Sequence, residues 1–269
     1  MNVGAILALA ALLCIWCWSW WFCSSHEAFE SKGLEENGKR SRIVVSMTTI
    51  PDRIEKNTIE ATLQSLSKQT MKPDIVYIHV PPKSLAGTPY PVAKLETLVK
   101  HYAPWVHVNR VPEDLGPITK VVPVLSLVHD NDYIILIDDD VAYDDTMIEK
   151  LMSSRDKSAA VGFAGRTNLS YQSGDFYEGP CEFLETYGGV MYQASVLRGL
   201  DDYKTTLGST CEKQDDIVLG KHVASKGVVP WILPHKVPGT HDAQGTTELR
   251  NENLGGGGQN ETCYRQLFA

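Results

Sequence analysis

Five aspartates follow an apolar stretch of the chain, and their type and spacing suit them to chemistry. Residues 131–145 read NDYIILIDDDVAYDD, so an apolar run leads directly into Asp138, Asp139 and Asp140. Carboxylates at the end of a buried segment repel one another and lose hydration, and both effects cost free energy. Water, a helix N-terminus or a metal ion could compensate, and each has a different functional meaning.

The apolar run predicts a strand, and strand side chains alternate between two faces. On that basis Asp138 and Asp140 face one way and Asp139 the other. Two carboxylates on one face can share a divalent cation, and Mn²⁺ (or Mg²⁺) often completes its oxygen coordination with substrate phosphates. The pattern therefore predicts a metal with a bound diphosphate. The alternative is a solvated strand end, with Asp144 or Asp145 capping the next helix.

Two other acidic sites fit the pattern less well. An EF-hand loop needs a glycine at the position that Tyr143 occupies. In a phosphatase of the haloacid dehalogenase type, the D-x-D also ends a strand, and Asp138 would be the nucleophile. That strand comes early in such domains, whereas three predicted strands precede it here, and Ala142 stands where that motif has Thr or Val. The phosphatase stays as an alternative.

Strand and helix patterns alternate along the chain before the aspartates. Apolar runs predict strands in RIVVSM, PDIVYIHV, WVHVNRV and YIILI, and helices are predicted in NTIEATLQSLSKQT, VAKLETLVKHYA and GPITKVVPVLSLVHD. Asn57 and Glu60 have the spacing of a capping box, and Pro123 predicts a bend in the third helix. The alternation predicts an α/β fold with a mostly parallel central sheet flanked by helices, and ligands at the carboxyl ends of its strands.

The second half of the chain has a looser pattern. AAVGFAG, GGVMYQ and VVPWILP predict short strands, and QDDIVLGKHVASKG predicts a helix that ends at Gly227. The glycine-rich LGGGGQN predicts a flexible segment, either a lid or disorder. The predicted division is one domain over residues 42–254 and a flexible C-terminal tail over 255–269.

The N-terminus has the length and composition of a membrane span. Residues 3–23 contain no charge, and a helix of this length is long enough to cross a bilayer. Four tryptophans cluster between residues 16 and 21. We predict an uncleaved transmembrane signal anchor over residues 1–23 and a polar stem over 24–41. The alternative is a cleaved signal peptide, for which no convincing small-x-small cleavage site follows.

The flanking charges indicate the orientation of that anchor. Glu27 and Glu30 come before the first lysine after the span, which favours a non-cytoplasmic location for that side. The prediction is a single-pass type II membrane protein with its domain in the lumen of the Golgi or endoplasmic reticulum. The net charge of −8 and the pI of about 5.5 argue against a nucleic-acid partner, which would need a basic face.

Cysteines and sequons fit a lumenal domain. Cys181, Cys211 and Cys263 lie outside the apolar N-terminus, and an oxidising lumen would permit one disulfide, predicted as Cys181–Cys211. N-x-S/T sequons begin at Asn168 and Asn260, so the chain is a candidate glycoprotein.

The order of several motifs resembles the glycosyltransferases of the A fold, nucleotide-diphospho-sugar transferases with a D-x-D and a membrane anchor. The resemblance covers about residues 42–241 and rests on TTIPDR, LQSLSKQT, LGPITK, ILIDDDV, YGGVMY and QDDIVLG. It implies that residues 42–254 form a metal-dependent catalytic domain. That domain would transfer a sugar from a nucleotide-sugar, a UDP-sugar by expectation, to a hydroxyl of a glycan, lipid or protein acceptor.

The resemblance also implies roles in donor binding. It places Thr48, Thr49 and Arg53 at the nucleotide base and ribose, and Lys120 near the diphosphate. Asp138 and Asp139 would face the nucleotide-sugar. For Arg53 the alternative is a surface salt bridge, and for the lysine it is solvation.

Further roles concern the metal, the sugar and the base. Asp138 and Asp140 would bind the metal together with His241, with His235 as the second choice for the histidine. Gly188 and Gly189 would line the sugar site, or form an ordinary turn.

Asp216 aligns with the general base of inverting members of that family, and Asp215 takes the place usually held by Glu. The alternative for both acids is N-capping of the helix they begin. Besides the transferase and the phosphatase, a catalytically silent glycan-binding protein on the same fold stays open.

Overall fold

The computed structural model describes residues 34–36, 39–205, 209–237, 239–241 and 258–268. The predicted membrane anchor over residues 1–23 lies outside these ranges, as does most of the predicted stem. Within the described ranges, no helix is long and apolar enough to cross a membrane. The anchor, its orientation and the lumenal location therefore stay predictions.

The strands are short, and most of them are buried. In chain order they are β1 Leu34–Glu36, β2 Lys39–Ser41, β3 Ile43–Thr48, β4 Ile75–Val80, β5 Val106–Arg110, β6 Tyr133–Leu136, β7 Val141–Ala142, β8 Ala160–Gly162, β9 Ala164–Thr167, β10 Ser170–Ser173, β11 Gly179–Pro180, β12 Phe183–Leu184, β13 Val190–Gln193, β14 Trp231–Ile232 and β15 Thr240–His241.

The helices flank these strands. The α-helices are α1 Pro51–Glu55, α2 Ile59–Ser67, α3 Val92–Val99, α4 Met147–Ser153, α5 Leu200–Thr205, α6 Asp215–Ser225 and α7 Gln259–Phe268. Short 3₁₀ helices cover Lys100–Tyr102, Gly116–Lys120, Pro123–Leu127, Thr186–Gly188, Ala194–Leu197 and Ser209–Cys211.

Eight strands form the central sheet, in the order β11-β14-β8-β13-β6-β3-β4-β5. The strands predicted before the aspartates, β3 to β6, run parallel where they pair. On the other side of the sheet, β13 is antiparallel to β6 and β8, whereas β14 is parallel to β8. The expected α/β fold with a mostly parallel central sheet flanked by helices is confirmed.

The direction in which strands are added reverses at β3. The chain adds β4 and β5 on one side of β3, and then crosses back so that β6 pairs with the other side. Ser46 of β3 lies opposite Leu136 of β6, so the carboxyl ends of these strands are neighbours. A reversal of this kind leaves a crevice at the strand ends, where ligands bind in open α/β sheets.

Alternating side chains divide the core between the two faces of the sheet. Val45 and Met47 of β3 point to the layer formed by α2, α3 and α4, whereas Val44 points to the opposite layer. That opposite layer contains α6 and the 3₁₀ helices Gly116–Lys120 and Pro123–Leu127. Burial on both faces explains why the parallel strands are continuous apolar runs.

Two local predictions about helices are wrong. GPITKVVPVLSLVHD forms two short 3₁₀ helices instead of one bent α-helix, since Pro123 lacks an N–H and its ring crowds the preceding turn. Asn57 and Glu60 do not form a capping box. Asn57 is left-handed with φ of 58°, and Thr58 occupies the cap position of α2.

The C-terminal prediction and the disulfide prediction are also corrected. Residues 259–268 of the predicted flexible tail form α7, and Cys263 on that helix is buried and bonded to Cys211. Cys181, the predicted partner of Cys211, has a free, buried thiol. Tyr264 and Phe268 stack on each other and contact Phe183, so apolar packing holds α7 against the domain.

We expect the Cys211–Cys263 disulfide to stabilise the domain because it closes a loop with a sequence separation of 52 residues. Replacing both cysteines by alanine should lower the free energy of unfolding by about 2–4 kcal/mol, measured by urea denaturation. Dithiothreitol should reproduce the loss in the wild type and leave the double variant unchanged. Cys181→Ala controls for removal of a buried cysteine. Insensitivity of the wild type to the reductant would contradict the pairing.

Candidate active site

The predicted functional residues gather at the crevice between β3 and β6. Thr48 ends β3, Thr49 follows it, and α1 begins at Pro51 and carries Arg53. Asp138, Asp139 and Asp140 follow β6. Because β3 and β6 are adjacent and parallel, both sets leave the sheet at the same edge.

The three aspartates lie in a turn and not in a strand. β6 ends at Leu136 and β7 begins at Val141, so the alternation expected for Asp138 to Asp140 does not apply. Instead, Asp139 and Asp140 share one cation and Asp138 pairs with another. Burial still separates Asp139, which is buried, from Asp138 and Asp140, which are partly exposed, so the predicted grouping of Asp138 with Asp140 stays a prediction.

Arg53 holds two of the aspartates. Its guanidinium donates to Oδ1 of Asp139, and to Oδ2 of Asp140 at 2.7 Å, and its side chain is 16% exposed. Burial alone would lower the pKa of Arg53, but the two carboxylates outweigh burial and raise it. Burial raises the pKa of Asp139 to about 6 even though Arg53 opposes the shift. Arg53 therefore forms a salt bridge within the D-x-D and not on the open surface.

Lys120 joins three segments of the chain. It ends the 3₁₀ helix Gly116–Lys120, is 4% exposed, and donates to Asp138 Oδ1 at 2.8 Å and Thr186 Oγ1 at 2.6 Å. Its ammonium also lies 3.0 Å from Oδ2 of Asp215. Burial would lower the pKa of Lys120, but Asp138 and Asp215 outweigh it and raise the pKa well above its usual range. The alternative of a solvated lysine is therefore wrong.

Asp215 and Asp216 begin α6, as predicted, and both bond to other segments. Besides the Lys120 contact of Asp215, Oδ1 of Asp216 accepts a hydrogen bond from the backbone N–H of Thr186 at 3.1 Å. Burial and the neighbouring Asp215 raise the pKa of Asp216 well above the usual range of an aspartate, and Lys120 opposes the shift. These carboxylates therefore do more than cap their own helix.

Among the described side chains of the site, five carboxylates surround two cations. The carboxylates are those of Asp138, Asp139, Asp140, Asp215 and Asp216, and the cations are Arg53 and Lys120. Mutual repulsion contributes to the raised pKa values of Asp139 and Asp216. Part of the compensation for crowding the aspartates thus comes from the protein cations Arg53 and Lys120.

A tyrosine connects the glycine-rich turn to the D-x-D. The hydroxyl of Tyr143 accepts from the backbone N–H of Asp138 at 3.0 Å and donates to the carbonyl of Tyr187 at 3.0 Å. Gly188 ends the 3₁₀ helix Thr186–Gly188, and Gly189 has φ of 89°, a left-handed conformation that favours glycine. The glycines therefore lie beside the aspartates, as expected for residues near a shared ligand.

Contacts with neighbouring segments hold the two threonines at the end of β3. The hydroxyl of Thr48 donates to the carbonyl of His79 at 2.9 Å, and Thr49 is buried, with its carbonyl accepting from the hydroxyl of Tyr90. These contacts fix the end of β3 and thereby the start of α1. They place Thr48 and Thr49 at the crevice without assigning them a ligand.

The backbone of His241 lies next to the D-x-D. β15 pairs with β7 in antiparallel register, and His241 is opposite Val141, the residue after Asp140. The side chain of His241 lies outside the described part of the chain. The ring of His235, the second choice, lies tilted beside Phe163, with ring centroids 6.4 Å apart. Within the described residues, no group of three or more His, Cys, Asp or Glu side chains is arranged to hold a metal.

Sequence reasoning missed a buried polar relay beneath Lys120. Ser46 Oγ donates to the carbonyl of Lys120 at 2.5 Å, and His79 Nε2 lies 2.9 Å from the same Oγ. His79 Nδ1 lies 2.9 Å from Asn109 Nδ2. The Ser46 hydroxyl donates to the carbonyl of Lys120, so Nε2 of His79 carries a proton and donates to Ser46. Nδ1 accepts from the Asn109 amide, which makes the imidazole neutral. A serine and a histidine inside apolar strands were the available signal.

No protein family and no curated relative matches the sequence. Its structure matches 145 solved chains. Residues 1–349 of S. aureus TarS superpose with a TM-score of 0.52 at 15% identity, over 74% of this chain and 59% of that one. The mannosyltransferase PcManGT from Pyrobaculum calidifontis, in complex with GDP-Man and Mn²⁺, superposes with a TM-score of 0.54 at 16% identity, over 87% and 66%.

A further TarS structure in complex with UDP-GlcNAc has a TM-score of 0.52 at 13% identity, over 78% of this chain and 63% of that one. The chain thus spans about two thirds or less of the length of these structures. At these identities the likeness shows the fold alone, which this chain shares with TarS and PcManGT.

The relay predicts a specific acid dependence of stability. Burial lowers the pKa of His79 from its ordinary 6.5 to about 3, so the unfolded chain takes up a proton below pH 6.5 and the folded chain does not. The contribution of His79 to the free energy of unfolding is fully present above pH 6.5 and decreases by about 1.4 kcal/mol per pH unit toward pH 3. Urea denaturation between pH 4 and 8 should show a shallower slope for His79→Gln. The matched control is His107→Gln, at an exposed histidine of β5. Equal slopes for wild type and His79→Gln would contradict the neutral relay.

Proposed function

We propose that the chain is a metal-dependent glycosyltransferase that moves a sugar from a nucleotide-sugar, a UDP-sugar by preference, to an acceptor hydroxyl. The observation that carries the proposal is the meeting of the D-x-D, Arg53, Lys120 and the carboxylates of α6 at the crevice between β3 and β6. Nucleotide-sugars are the ligands named for TarS and PcManGT, whose fold this chain shares.

The charge balance of the site supports the metal. A nucleotide diphosphate and a group of carboxylates repel each other, and a divalent cation bound between them would lower that repulsion. Asp138 and Asp140 supply the oxygen ligands that Mn²⁺ or Mg²⁺ prefers, and the backbone of His241 lies beside them. These three residues would hold the ion, which when bound would neutralise the diphosphate and its charge as a leaving group.

Arg53 and Lys120 would complete the donor site. Both are nearly buried cations at the carboxyl edge of the sheet, so donor binding can redirect them from carboxylate partners to phosphate oxygens. Ser46 donates a hydrogen bond to the carbonyl of Lys120, which would keep the lysine backbone in place while its ammonium changes partners. Thr48, Thr49 and Asp139 would line the nucleotide, and Gly188 and Gly189 the sugar.

Asp216 would act as the base of an inverting transfer. Its carboxylate would take the proton from the acceptor hydroxyl while that oxygen attacks the anomeric carbon and the nucleoside diphosphate leaves. A raised pKa makes the ionised carboxylate a stronger base, and the contact to Thr186 orients it beside the glycine-rich turn. Asp215 would position Lys120.

Membrane anchorage belongs to the same proposal. The apolar segment over residues 3–23 would place the domain in the secretory lumen, where a disulfide such as Cys211–Cys263 can form. Intact-mass measurement after expression in a secretory host tests the anchor. A mature start between residues 24 and 30 would replace it with a cleaved signal peptide.

Asp140→Ala should abolish the Mn²⁺-dependent part of nucleotide binding while the fold survives, since Asp139 still pairs with Arg53. The measurement is a thermal-shift screen of UDP, GDP and their sugars with and without Mn²⁺. Asp156→Ala, at an exposed aspartate, is the control. Undiminished Mn²⁺-dependent binding in Asp140→Ala would contradict the metal assignment. Hydrolysis of simple phosphate esters in place of nucleotide-sugars would favour the phosphatase with Asp138 as nucleophile.

Asp216→Asn should reduce transfer by about 10²–10⁴-fold, the usual effect of losing a general base. The amide oxygen can still accept from Thr186, so folding and nucleotide binding should survive. Asp215→Asn should reduce transfer less, because Lys120 keeps its contact with Asp138. Turnover of a nucleotide-sugar followed by NMR gives both the rate and the anomeric configuration of the product. Retained configuration, or normal turnover by Asp216→Asn, would exclude Asp216 as the base.

A further inference from the structure

A rigid, exposed aromatic side chain stands beside the proposed site. Tyr171 lies in β10, which pairs with β9, and β12 pairs with the other edge of β9. The residue is 48% exposed. An exposed tyrosine usually samples several rotamers, whereas Tyr171 is held by contacts at its hydroxyl and over its ring.

Arg166 and Tyr187 fix the Tyr171 ring. The Tyr171 and Tyr187 hydroxyls are 2.6 Å apart, and the guanidinium carbon of Arg166 lies 5.7 Å from the centroid of the Tyr171 ring. Arg166 is fixed in turn, because it donates to Glu185 Oε1 at 2.5 Å and to the carbonyl of Leu169 at 3.0 Å. A ring that is already ordered loses little conformational entropy when a ligand packs on it.

The contacts of Tyr171 lead directly to the D-x-D. Tyr187, its hydroxyl partner, precedes the two glycines, and the carbonyl of Tyr187 accepts from Tyr143, which also bonds to the N–H of Asp138. Glu185, which holds Arg166, acts electrostatically on Asp138 and Asp216. Tyr171 and the carboxylates of the proposed site therefore belong to one connected set of side chains.

The chemistry of this surface matches a sugar ring. A pyranose has one face of C–H groups, which packs on an aromatic ring, and an edge of hydroxyls, which needs hydrogen-bond partners. Tyr171 offers its ring, and the paired tyrosine hydroxyls stand at the edge of that ring. An alkyl chain would match the ring but not the polar groups around it.

We propose that Tyr171 is the platform of an acceptor subsite, on which a sugar ring of a glycan acceptor stacks beside the D-x-D. This inference rests on the proposed function and narrows its acceptor from a glycan, lipid or protein to a glycan. Phe176 is even more exposed, at 94%, and lies just beyond β10, which makes it a matched control.

The test measures sugar binding separately from catalysis. Saturation-transfer NMR with lactose, maltose, chitobiose and mannobiose reports affinity without a donor. We select the disaccharide that wild type binds most tightly. Tyr171→Ala should lower the affinity for this disaccharide by about tenfold, which corresponds to the loss of one aromatic contact. Tyr171→Phe keeps the ring but loses the hydroxyl that contacts Tyr187, so its affinity should lie between those of Tyr171→Ala and wild type. Phe176→Ala keeps Tyr171 and should bind within about twofold of wild type. Hydrolysis of the nucleotide-sugar by water should be unchanged in Phe176→Ala.

The outcomes separate this inference from the function on which it rests. Equal disaccharide binding by wild type and Tyr171→Ala overturns the platform, as does a wild type that hydrolyses donor but binds none of the four sugars. Equal losses in Tyr171→Ala and Phe176→Ala also overturn it, because the effect would then belong to the hairpin as a whole. Absence of nucleotide binding and donor hydrolysis, with disaccharide binding still dependent on Tyr171, refutes the transferase and keeps the sugar site.

Discussion

The buried ammonium of Lys120 is the interaction on which the site depends. It contacts Asp138 after β6, Thr186 before β13 and Asp215 at the start of α6, segments that the sheet alone would not hold together. A buried cation without partners would be very costly, so these three segments must converge for the fold to be stable. The Ser46–His79–Asn109 relay below it fixes the lysine backbone, so structural stability and the position of charge at the site have one physical origin.

Charge balance links this constraint to the proposed chemistry. Arg53 and Lys120 offset part of the repulsion among the crowded aspartates of the described part of the chain. In the proposed function, a divalent ion would add positive charge at these carboxylates and would allow a diphosphate to bind beside them. Crowding of carboxylates also raises the pKa of Asp216, because burial and the neighbouring Asp215 both disfavour its ionised form. A group that holds its proton more tightly is better suited to accept one from a hydroxyl.

Most of the fold could be predicted from the sequence because its strands are buried on both faces. Burial makes β3, β4 and β6 continuous apolar runs, which are local signals, and the alternation with helices then implies a parallel sheet. Local signals failed where proline or a left-handed residue intervened, at Pro123 and Asn57. They also failed for α7. Its packing depends on contacts such as that of Tyr264 with Phe183, which lie about 80 residues apart in the chain.

The sequence by itself determined which residues reach the edge of the sheet: Asp138 to Asp140 after an apolar strand, and Asp215 and Asp216 at a helix start. Both follow from periodicity within about ten residues. Only the tertiary structure decided their partners. Lys120 pairs across 66 residues with Thr186, Arg53 across 86 with Asp139, and Cys211 with Cys263 in preference to Cys181. Many chemically equivalent partners exist along the chain, and the choice among them depends on which elements pack side by side, a long-range property that local patterns do not carry.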